Sequence, residues 1–409
     1  MTTTHETTPT PTTPDIRPGT PEWRALLARI AEGTEERERT ESGPYEVIEW
    51  LKEAGFTRLR LPVEHGGAGA TLPELFSALI DLAQADSNAA HVLRTHFWFV
   101  EQQLDSPDPG AQARGFELIR SGAVVGNGFS EQSSKPVGLH FETAFTPDEN
   151  GGYRLNGTKF YSTGTLYADY TQIWAAAPNG RIAGVVVPVD REGVTVEDDW
   201  DGFGQRLTGT GSTRLDDVHV SDDEIFDLGI PVDSEQPPSH YGAFLQLYLQ
   251  AVTAGILRSV RDEAVALVRR RTRTFSHADA SPSEDRQVLQ VIGQIQSDAF
   301  AAEAITLAAA QAVQAASDSV TDGLPEEKAA AHAQLLAAQA KVAVDRFSYA
   351  TAAALFDVGG ASATQRKYNL DRHWRNIRTI STHNPTYYKA SAVGDHLVNG
   401  TAFPANAFF

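Results

Sequence analysis

Cysteine is absent from the 409 residues of this chain. Its absence excludes disulfides, zinc–thiolate centres, iron–sulfur ligation and thiol catalysis. Positive charge is also scarce, with 34 Lys and Arg against 53 Asp and Glu and a formal net charge of −19. Nucleic acids and anionic membranes are bound through clustered cations, so we expect neither as a partner. We also find no apolar run near the roughly 18 residues that cross a bilayer.

The first 18 residues are rich in threonine and proline. They have neither the apolar core of a signal peptide nor the arginines of a transit peptide. A segment of this composition buries too little apolar surface to become ordered. We therefore expect residues 1–18 to form a disordered tail on a cytoplasmic protein.

The periodicity of the remaining chain changes twice. Residues 19–121 repeat apolar side chains at helical spacing, residues 122–235 alternate with a period of two, and residues 236–409 return to long helical patterns. In the middle part, Asn156-Gly157 stands between alternating runs and predicts a two-residue hairpin turn. Helices, then strands, then helices predict an α+β protein.

Several common catalytic motifs are missing. The sequence has no G-x-S-x-G elbow of a serine hydrolase and no H-E-x-x-H metal motif. His91 and His96 are five residues apart, which puts them on different faces of a helix and predicts no metal site there. No G-x-G-x-x-G joins a strand to a helix, so we expect no nicotinamide site on this chain.

Five segments of the chain resemble one family. They are VEHGGAG (63–69), GNGFSE (126–131), LNGTKFYSTG (155–164), residues 198–220, and YNLDRHWRNIRTISTHNP (368–385). The chain thereby resembles the flavin-dependent dibenzothiophene monooxygenases, which are group D flavin monooxygenases in the acyl-CoA dehydrogenase superfamily. The resemblance implies the acyl-CoA dehydrogenase fold, with an N-terminal helical domain, a β-barrel-like middle domain and a C-terminal four-helix bundle.

The resemblance also implies which residues form the site. The residues expected to hold the flavin are Asn127, Phe129, Ser130, Tyr161, Thr163, Arg273, Phe275, Gly359, Gly360, His383 and Asn384. The residues expected to act in catalysis are His383, Asn127, His96 and Thr163. The residues expected to line the substrate pocket are His96, Phe97, Trp200 and Thr210, with Trp98 as a further aromatic.

Several of these residues also have an ordinary structural interpretation. Asn127 is otherwise a turn former, Tyr161 a sheet aromatic, and His96 a core histidine with satisfied hydrogen bonds. Trp200 otherwise anchors a loop at the rim of a pocket, and the basic run that contains Arg273 is otherwise a solvated helix end. The surroundings of each side chain decide between the two interpretations.

The chain lacks the carboxylate base that an acyl-CoA dehydrogenase needs. The loop Thr382-His383-Asn384-Pro385 has no acid, and neither has the segment 248–259. The resemblance therefore implies a two-component monooxygenase, in which an NAD(P)H:flavin reductase supplies reduced FMN, or FAD, that forms a C4a-hydroperoxide with O₂. The implied substrate is a small apolar or aromatic molecule oxidised at sulfur, nitrogen or carbon, and the implied assembly is a homotetramer.

Two alternatives stay open at this point. One is an acyl-CoA dehydrogenase-like flavin oxidoreductase whose base lies elsewhere, and the other is a flavin-binding protein without turnover. Ile380 and Asn384 stand where the family carries His and Asp, so we do not expect dibenzothiophene itself to be the substrate.

Overall fold

The structure is a computed structural model that describes residues 17–132, 140–231, 239–272, 281–404 and 409. Except for its last two residues, the predicted disordered tail lies outside the described residues, and so do Arg273 and Phe275.

Six α-helices form the described N-terminal part. They are α1 (Pro21–Thr40), α2 (Tyr45–Glu53), α3 (Leu72–Ala85), α4 (Ser87–Val92), α5 (Arg94–Leu104) and α6 (Pro109–Arg120). The Thr20 side chain caps α1, and Thr71 with Glu74 forms a capping box at the start of α3. The apolar stripe that the spacing predicts in α3 is confirmed, since all four of its leucines are buried: Leu72, Leu75, Leu79 and Leu82.

The described middle part forms one mixed sheet. Its strands are β1 (Val125–Gly128), β2 (Ala144–Pro147), β3 (Tyr153–Lys159), β4 (Tyr170–Ala176), β5 (Arg181–Pro188), β6 (Val194–Val196), β7 (Thr213–Val220) and β8 (Ile225–Pro231). The strand order is β6-β7-β3-β2-β4-β5-β8, and β1 pairs with β4 in parallel. Successive side chains point to opposite faces, so Ile173 and Ala175 join the core of the β-domain while Trp174 packs into the helical core.

The predicted hairpin at Asn156-Gly157 is wrong. Both residues lie inside β3, where the register against β7 shifts between Leu155 and Gly157. The Asn156 side-chain oxygen accepts the Asp217 N–H at 2.8 Å, and a Cβ on Gly157 would lie 2.2 Å from the Thr143 hydroxyl. Asn-Gly forms a β-bulge here, because a bulge and a tight turn favour the same permissive residues.

Five α-helices form the described C-terminal part. They are α7 (Tyr241–Arg270), α8 (Arg286–Asp318), α9 (Glu327–Gly359), α10 (Asp371–Thr382) and α11 (Thr386–Asn399). Helices α7, α8 and α9 pack along one another, and α10 and α11 lie against α9. By length and composition alone α7 and α8 would be long and apolar enough to cross a membrane, but 89% of the apolar window of α7 and 44% of that of α8 are buried inside the protein.

A buried polar cluster joins α5 to the start of α7. The Tyr241 hydroxyl donates to Asp105 Oδ2 at 2.9 Å, and His240 Nε2 lies 3.4 Å from the same oxygen. Burial raises the pKa of Asp105 to about 7, and the Tyr241 hydrogen bond only partly opposes this rise. Asp105 is thus a carboxyl group that the folded protein prefers to keep protonated.

We expect Asp105 to make the fold less stable as pH rises. Its pKa in the folded protein, about 7, exceeds the ~3.9 of an unfolded chain, so its stabilising contribution is complete below the unfolded value and is lost as pH rises through about 7. Between pH 5 and 8 the free energy of unfolding should therefore fall more in the wild type than in Asp105→Asn. The extra fall is about 1.4 kcal/mol for each unit of the difference between the folded and unfolded pKa of Asp105 that lies within this pH range.

Urea unfolding at both pH values measures this difference. Asp190→Asn changes an exposed carboxylate and should behave like the wild type. An equal pH dependence in Asp105→Asn and the wild type would show that Asp105 does not titrate with folding.

Candidate active site

A cavity of about 1150 Å³ lies where the β-domain meets α4, α5, α7 and the turn between α10 and α11. Ligand sites typically occupy roughly 300–1,000 Å³, so the cavity has room for a cofactor and a second molecule. Most residues that the sequence predicts for the site line this cavity, namely Asn127, Phe129, Ser130, Tyr161, Thr163, Trp200, Thr210, His383 and Asn384.

His96 and Phe97 do not line the cavity, and their prediction as pocket residues is wrong. His96 accepts the Val125 N–H on Nδ1 at 3.2 Å, and its Nε2–H donates to the Thr57 carbonyl at 2.7 Å. Phe97 is fully buried and meets Phe56 edge to face. Because both of its ring nitrogens are engaged in the core, His96 is a structural histidine and has no free nitrogen for catalysis.

The face of α5 opposite to His96 and Phe97, continued onto α4, does line the cavity. It presents His91, Arg94, Thr95 and Trp98. These residues have the i, i+3, i+4, i+7 spacing of a single helix face, although α4 and α5 are separated by a break at Leu93. His91 and Arg94 were missed as site residues, and this spacing was the signal available in the sequence.

Two predicted flavin positions lie away from this cavity. Gly359 ends α9, and Gly360 follows it with φ 61° and ψ −162°, a conformation that essentially only glycine adopts. Within the described chain these glycines terminate the helix. Their contact with flavin stays a prediction, as do the contacts of Arg273 and Phe275, which lie outside the described residues.

Asn127 presents an unsatisfied acceptor at the cavity. Its backbone N–H donates to the Thr165 hydroxyl oxygen at 2.9 Å, and its carbonyl accepts that hydroxyl at 3.2 Å. It lies inside β1, so it is not a turn residue. Its Oδ1 is buried without a partner among the described residues, at a typical cost of about 1–3 kcal/mol. The site therefore favours a ligand that donates an N–H or O–H there.

Ser130 is tied to the sheet by its backbone. Its carbonyl accepts the Phe160 N–H at 2.8 Å, which fixes the chain just after β1. The Phe129 carbonyl lies 3.5 Å from Lys159 Nζ, and the Phe129 ring packs against Trp98 and Trp174. These contacts make the wall of the cavity at this point rigid and largely apolar.

Glu131 is the one carboxylate among the described residues that line the cavity. Its Oε1 accepts from Lys159 Nζ and from the Thr143 hydroxyl, both at 2.5 Å, and its Oε2 accepts the Glu142 N–H. Burial acts to raise the pKa of Glu131, but the Lys159 ammonium and these hydrogen bonds outweigh it and hold the pKa below its usual value. The carboxylate is ionised and engaged, so it is not free to abstract a proton from a substrate.

Three threonine hydroxyls form a chain along the wall of the β-domain. Thr208 donates to the Gln205 carbonyl at 2.9 Å, Thr210 Oγ1 lies 2.6 Å from Thr208 Oγ1, and Thr163 Oγ1 lies 3.0 Å from Thr210 Oγ1. Each hydroxyl has one proton, so Thr210 donates to Thr208 and Thr163 donates to Thr210. Thr163 Oγ1 is consequently left as an acceptor toward the cavity.

Tyr161 and Trp200 form an aromatic rim. Their rings meet edge to face with centroids 6.2 Å apart. Tyr161 is 57% exposed and has a left-handed backbone with φ 56°, so it is not a sheet aromatic. The Trp200 Nε1–H donates to the Gln205 carbonyl at 3.0 Å, which fixes the orientation of the indole.

His91 is a neutral imidazole with one free nitrogen. Its Nδ1 lies 2.8 Å from Gln205 Oε1, and Gln205 Nε2 donates to the Ser87 hydroxyl at 3.3 Å, so the amide oxygen faces the ring. His91 therefore carries its proton on Nδ1, while its Nε2 is buried without a partner in the described chain. Desolvation, followed by the charge of Arg94, lowers the pKa of His91 to about 4.

His383 follows the last residue of α10. It is accessible to solvent and borders the cavity, and many protein atoms surround it at greater distance. Desolvation first, and then the nearby Arg94, His91 and Lys341, hold the pKa of His383 well below its usual value. The imidazole is neutral at physiological pH and can donate one hydrogen bond and accept another.

Asn384 does not orient His383 in the described structure. It adopts φ 99°, a positive angle that asparagine tolerates better than most residues. Its Nδ2 is buried and has no partner among the described residues, so it makes no hydrogen bond to the imidazole. A second unsatisfied group, this time a donor, therefore borders the cavity on its helical side.

A buried ion pair anchors the turn that carries His383. Lys341 Nζ on α9 lies 3.0 Å from Asp345 Oδ2 and 3.3 Å from the Ser381 carbonyl. The Thr386 hydroxyl donates to Asp345 Oδ2 at 2.5 Å. The contacts with Ser381 and Thr386 tie the end of α10 and the start of α11 to α9.

Comparison with known proteins shows the family of this chain. Models of the N-terminal, middle and C-terminal domains of acyl-CoA dehydrogenase match residues 23–106, 128–218 and 247–387. A dibenzothiophene monooxygenase of Rhodococcus erythropolis is 30% identical over 398 residues, which cover 92% of this chain and 91% of that protein. The chain belongs to the dibenzothiophene monooxygenase branch of the acyl-CoA dehydrogenase superfamily.

Further relatives share nearly the full length of this member of the branch. The probable FMNH2-dependent monooxygenase SfnC of Pseudomonas putida is 27% identical and covers 96% of this chain and 98% of that one. The FMN-bound structure of TdsC from Paenibacillus sp. A11-2 has a TM-score of 0.86 at 27% identity and covers 95% of this chain and 98% of that one. The predicted family and fold are confirmed, and the chain is a flavin-dependent oxidoreductase.

We expect Lys341 to stabilise the fold through Asp345 beneath the His383 turn. Lys341→Met leaves Asp345 buried without the cation paired with it, and breaking a buried ion pair from one side costs about 3–5 kcal/mol. Denaturant unfolding should show a loss of this size. Lys328→Met changes an exposed lysine on the same helix and should alter stability by less than about 0.5 kcal/mol. Equal effects of the two substitutions would contradict the anchoring role.

Proposed function

We propose that this protein is the oxygenase component of a two-component monooxygenase. A separate NAD(P)H:flavin reductase supplies reduced FMN, and one oxygen atom of O₂ is transferred to a sulfur, nitrogen or electron-rich carbon centre of a small apolar or aromatic molecule. Support comes from the family, from its relative SfnC, the probable FMNH2-dependent monooxygenase, and from a sequence without a dinucleotide-binding motif. The same role is consistent with a cytoplasmic protein.

The residues around the cavity fit FMN. The unsatisfied Asn127 oxygen suits a ring N–H, and the unsatisfied Asn384 amide suits a ring carbonyl. Thr163 Oγ1 adds an acceptor, and the rings of Tyr161 and Trp200 supply apolar contact. FAD has the same ring and would meet the same residues, but the FMN-bound relative TdsC favours FMN.

Reduced FMN bound in this cavity would supply the two electrons that activate O₂, so that one oxygen atom would pass to the substrate and the other would leave as water. In the proposed mechanism His383 donates a hydrogen bond at the reacting oxygen, because its neutral imidazole carries one N–H. His91 offers its free Nε2 as a proton acceptor. Trp98, Phe129 and Phe141 exclude water from this end of the cavity, since their rings contact one another in series.

One observation carries the choice of monooxygenase over dehydrogenase. The cavity of this acyl-CoA dehydrogenase fold has no free carboxylate in its described lining, because Glu131 is bound to Lys159 and to Thr143. Removal of a proton from an acyl substrate needs such a base. The neutral histidines and unsatisfied amides of the lining can instead donate and accept hydrogen bonds in a reaction with O₂.

We also propose that the enzyme is a homotetramer that assembles through its C-terminal helices. Helix α11 exposes four large apolar side chains, Tyr387, Tyr388, Leu397 and Val398, which are 64–81% accessible in the single chain. Clusters of this kind mark protein interfaces. Tyr388 also lines the cavity, so a neighbouring subunit at α11 would border the site.

Stopped-flow absorbance tests the reaction class. Protein loaded anaerobically with reduced FMN and mixed with O₂ should give a transient spectrum that precedes oxidised FMN. Immediate oxidation without a transient would contradict the proposal. Reduction of protein-bound FMN by an acyl-CoA would favour the dehydrogenase alternative, and tight FMN binding with neither reaction would favour a non-catalytic flavin-binding protein.

We expect His383→Ala to uncouple oxygen consumption from substrate oxidation. Loss of one hydrogen bond at the reacting oxygen is worth about 1.4 kcal/mol, so the ratio of H₂O₂ released to substrate oxidised should rise about tenfold. A peroxidase-coupled assay measures this ratio. His332→Ala removes an exposed histidine on α9 and should leave it unchanged. Unchanged coupling in His383→Ala would remove His383 from the mechanism.

A further inference from the structure

Arg94 is a buried cation with no anionic partner in the described chain. It is 7% exposed, and its Nε–H donates to the Leu245 carbonyl at 3.1 Å. No carboxylate among the described residues forms an ion pair with it, and only the Tyr248 side chain opposes the fall in the pKa of Arg94 that burial causes. Desolvation nevertheless lowers the pKa of Arg94 only to about 10, so the guanidinium is charged at neutral pH.

Two other buried arginines of this protein have carboxylate partners. Arg60 pairs with the buried Glu101, and Arg372 pairs with Glu263. A buried charge is costly unless it is paired, so these carboxylates compensate their arginines. Arg94 has no such partner in the described chain, and it is the one arginine in the described lining of the cavity.

The surroundings of Arg94 form a positive pocket with apolar walls. Its charge is close enough to His91 and His383 to lower the pKa of both imidazoles. Leu245 and Trp98 line the same cavity. The one acid in the described lining, Glu131, is already paired with Lys159. An anion is therefore the ligand that this end of the cavity lacks.

We propose that Arg94 binds an oxyanion of the substrate, a carboxylate, sulfinate or sulfonate attached to a small apolar group. A guanidinium presents two parallel N–H donors that match the two oxygens of such a group, and the Nε–H is already fixed by Leu245. This inference rests on the proposed function, whose substrate class it narrows from any small aromatic or apolar molecule to an amphiphilic anion.

The negative charge of reduced flavin is the other source of an anion at this cavity. Binding of a substrate-like anion can be distinguished from binding of reduced flavin, because the anion can be added to protein that contains no flavin. Calorimetric titration of the full-length protein with benzenesulfinate and with the neutral methyl phenyl sulfone therefore isolates the effect of charge. Anaerobic titration with reduced FMN measures the affinity of the same protein for the flavin.

The wild type should bind benzenesulfinate about tenfold or more tightly than the sulfone, as expected of a desolvated charge-assisted contact. Arg94→Met should abolish that preference, and Arg94→Lys should retain part of it because the charge remains while the paired donors are lost. Arg58→Met is the matched control. Arg58 is likewise buried without a carboxylate partner in the described chain, but it lies away from the cavity, so its loss should leave the preference intact.

Folding is checked on the same variants. Removal of an uncompensated buried charge should leave the melting temperature of ligand-free Arg94→Met at or above that of the wild type. A large decrease would identify Arg94 as a structural residue and overturn the proposal. Equal binding of sulfinate and sulfone by the wild type would also overturn it.

A third result would overturn the assignment by locating the charge elsewhere. If Arg94→Met weakens reduced FMN and leaves benzenesulfinate binding unchanged, the anion that Arg94 meets belongs to the flavin. Because the sulfinate titration uses neither flavin nor O₂, its outcome is independent of the stopped-flow test. Failure of oxygen chemistry and failure of anion recognition are thus separate results.

Discussion

The imidazole of His96 connects three parts of the protein. It belongs to α5, donates to the carbonyl of Thr57 in the 3₁₀ turn after α2, and accepts the backbone N–H of Val125 at the start of β1. Burial lowers its pKa to about 4, more than its Thr57 hydrogen bond opposes, so the ring stays neutral and retains both bonds. Since Asn127 lies on β1 two residues after Val125, this contact links the β-domain wall of the cavity to the helix that carries Arg94.

The charge inside the cavity differs from that of the whole protein. The chain is strongly acidic overall, yet the acid in the described lining is paired with Lys159, and Arg94 in the same lining has no carboxylate partner among the described residues. Surface charges are screened by solvent and salt, whereas charges in a recess of low dielectric act strongly over short distances. Net charge is informative about macromolecular partners and uninformative about the molecule that the site accepts.

Sequence reasoning was most successful where the signal was a contiguous motif. GNGFSE and the residues around His383 line the cavity, because strands and turns fix backbone groups at known spacing. It failed where a helix has two buried faces. Residues 94–101 of this helix are all buried, so composition alone did not show that His96 points into the core while Arg94 and Trp98 point into the cavity.

Asn156-Gly157 failed for a different reason. A bulge and a hairpin turn use the same residues, and only the pairing of β3 with β7, which is distant in sequence, distinguishes them. Positions that depend on other chains or on long-range pairing are therefore the ones that local pattern cannot assign.

Tyr388 lies both on the exposed surface of α11 and at the cavity, and it contacts Tyr387 with ring centroids 4.4 Å apart. In the proposed assembly a neighbouring subunit covers this tyrosine pair and closes the mouth of the site. In an isolated chain, the cavity that holds the reduced cofactor would be open to solvent on one side. The specific activity per chain would then fall on dilution below the concentration at which subunits separate, without any change in the residues that perform the chemistry.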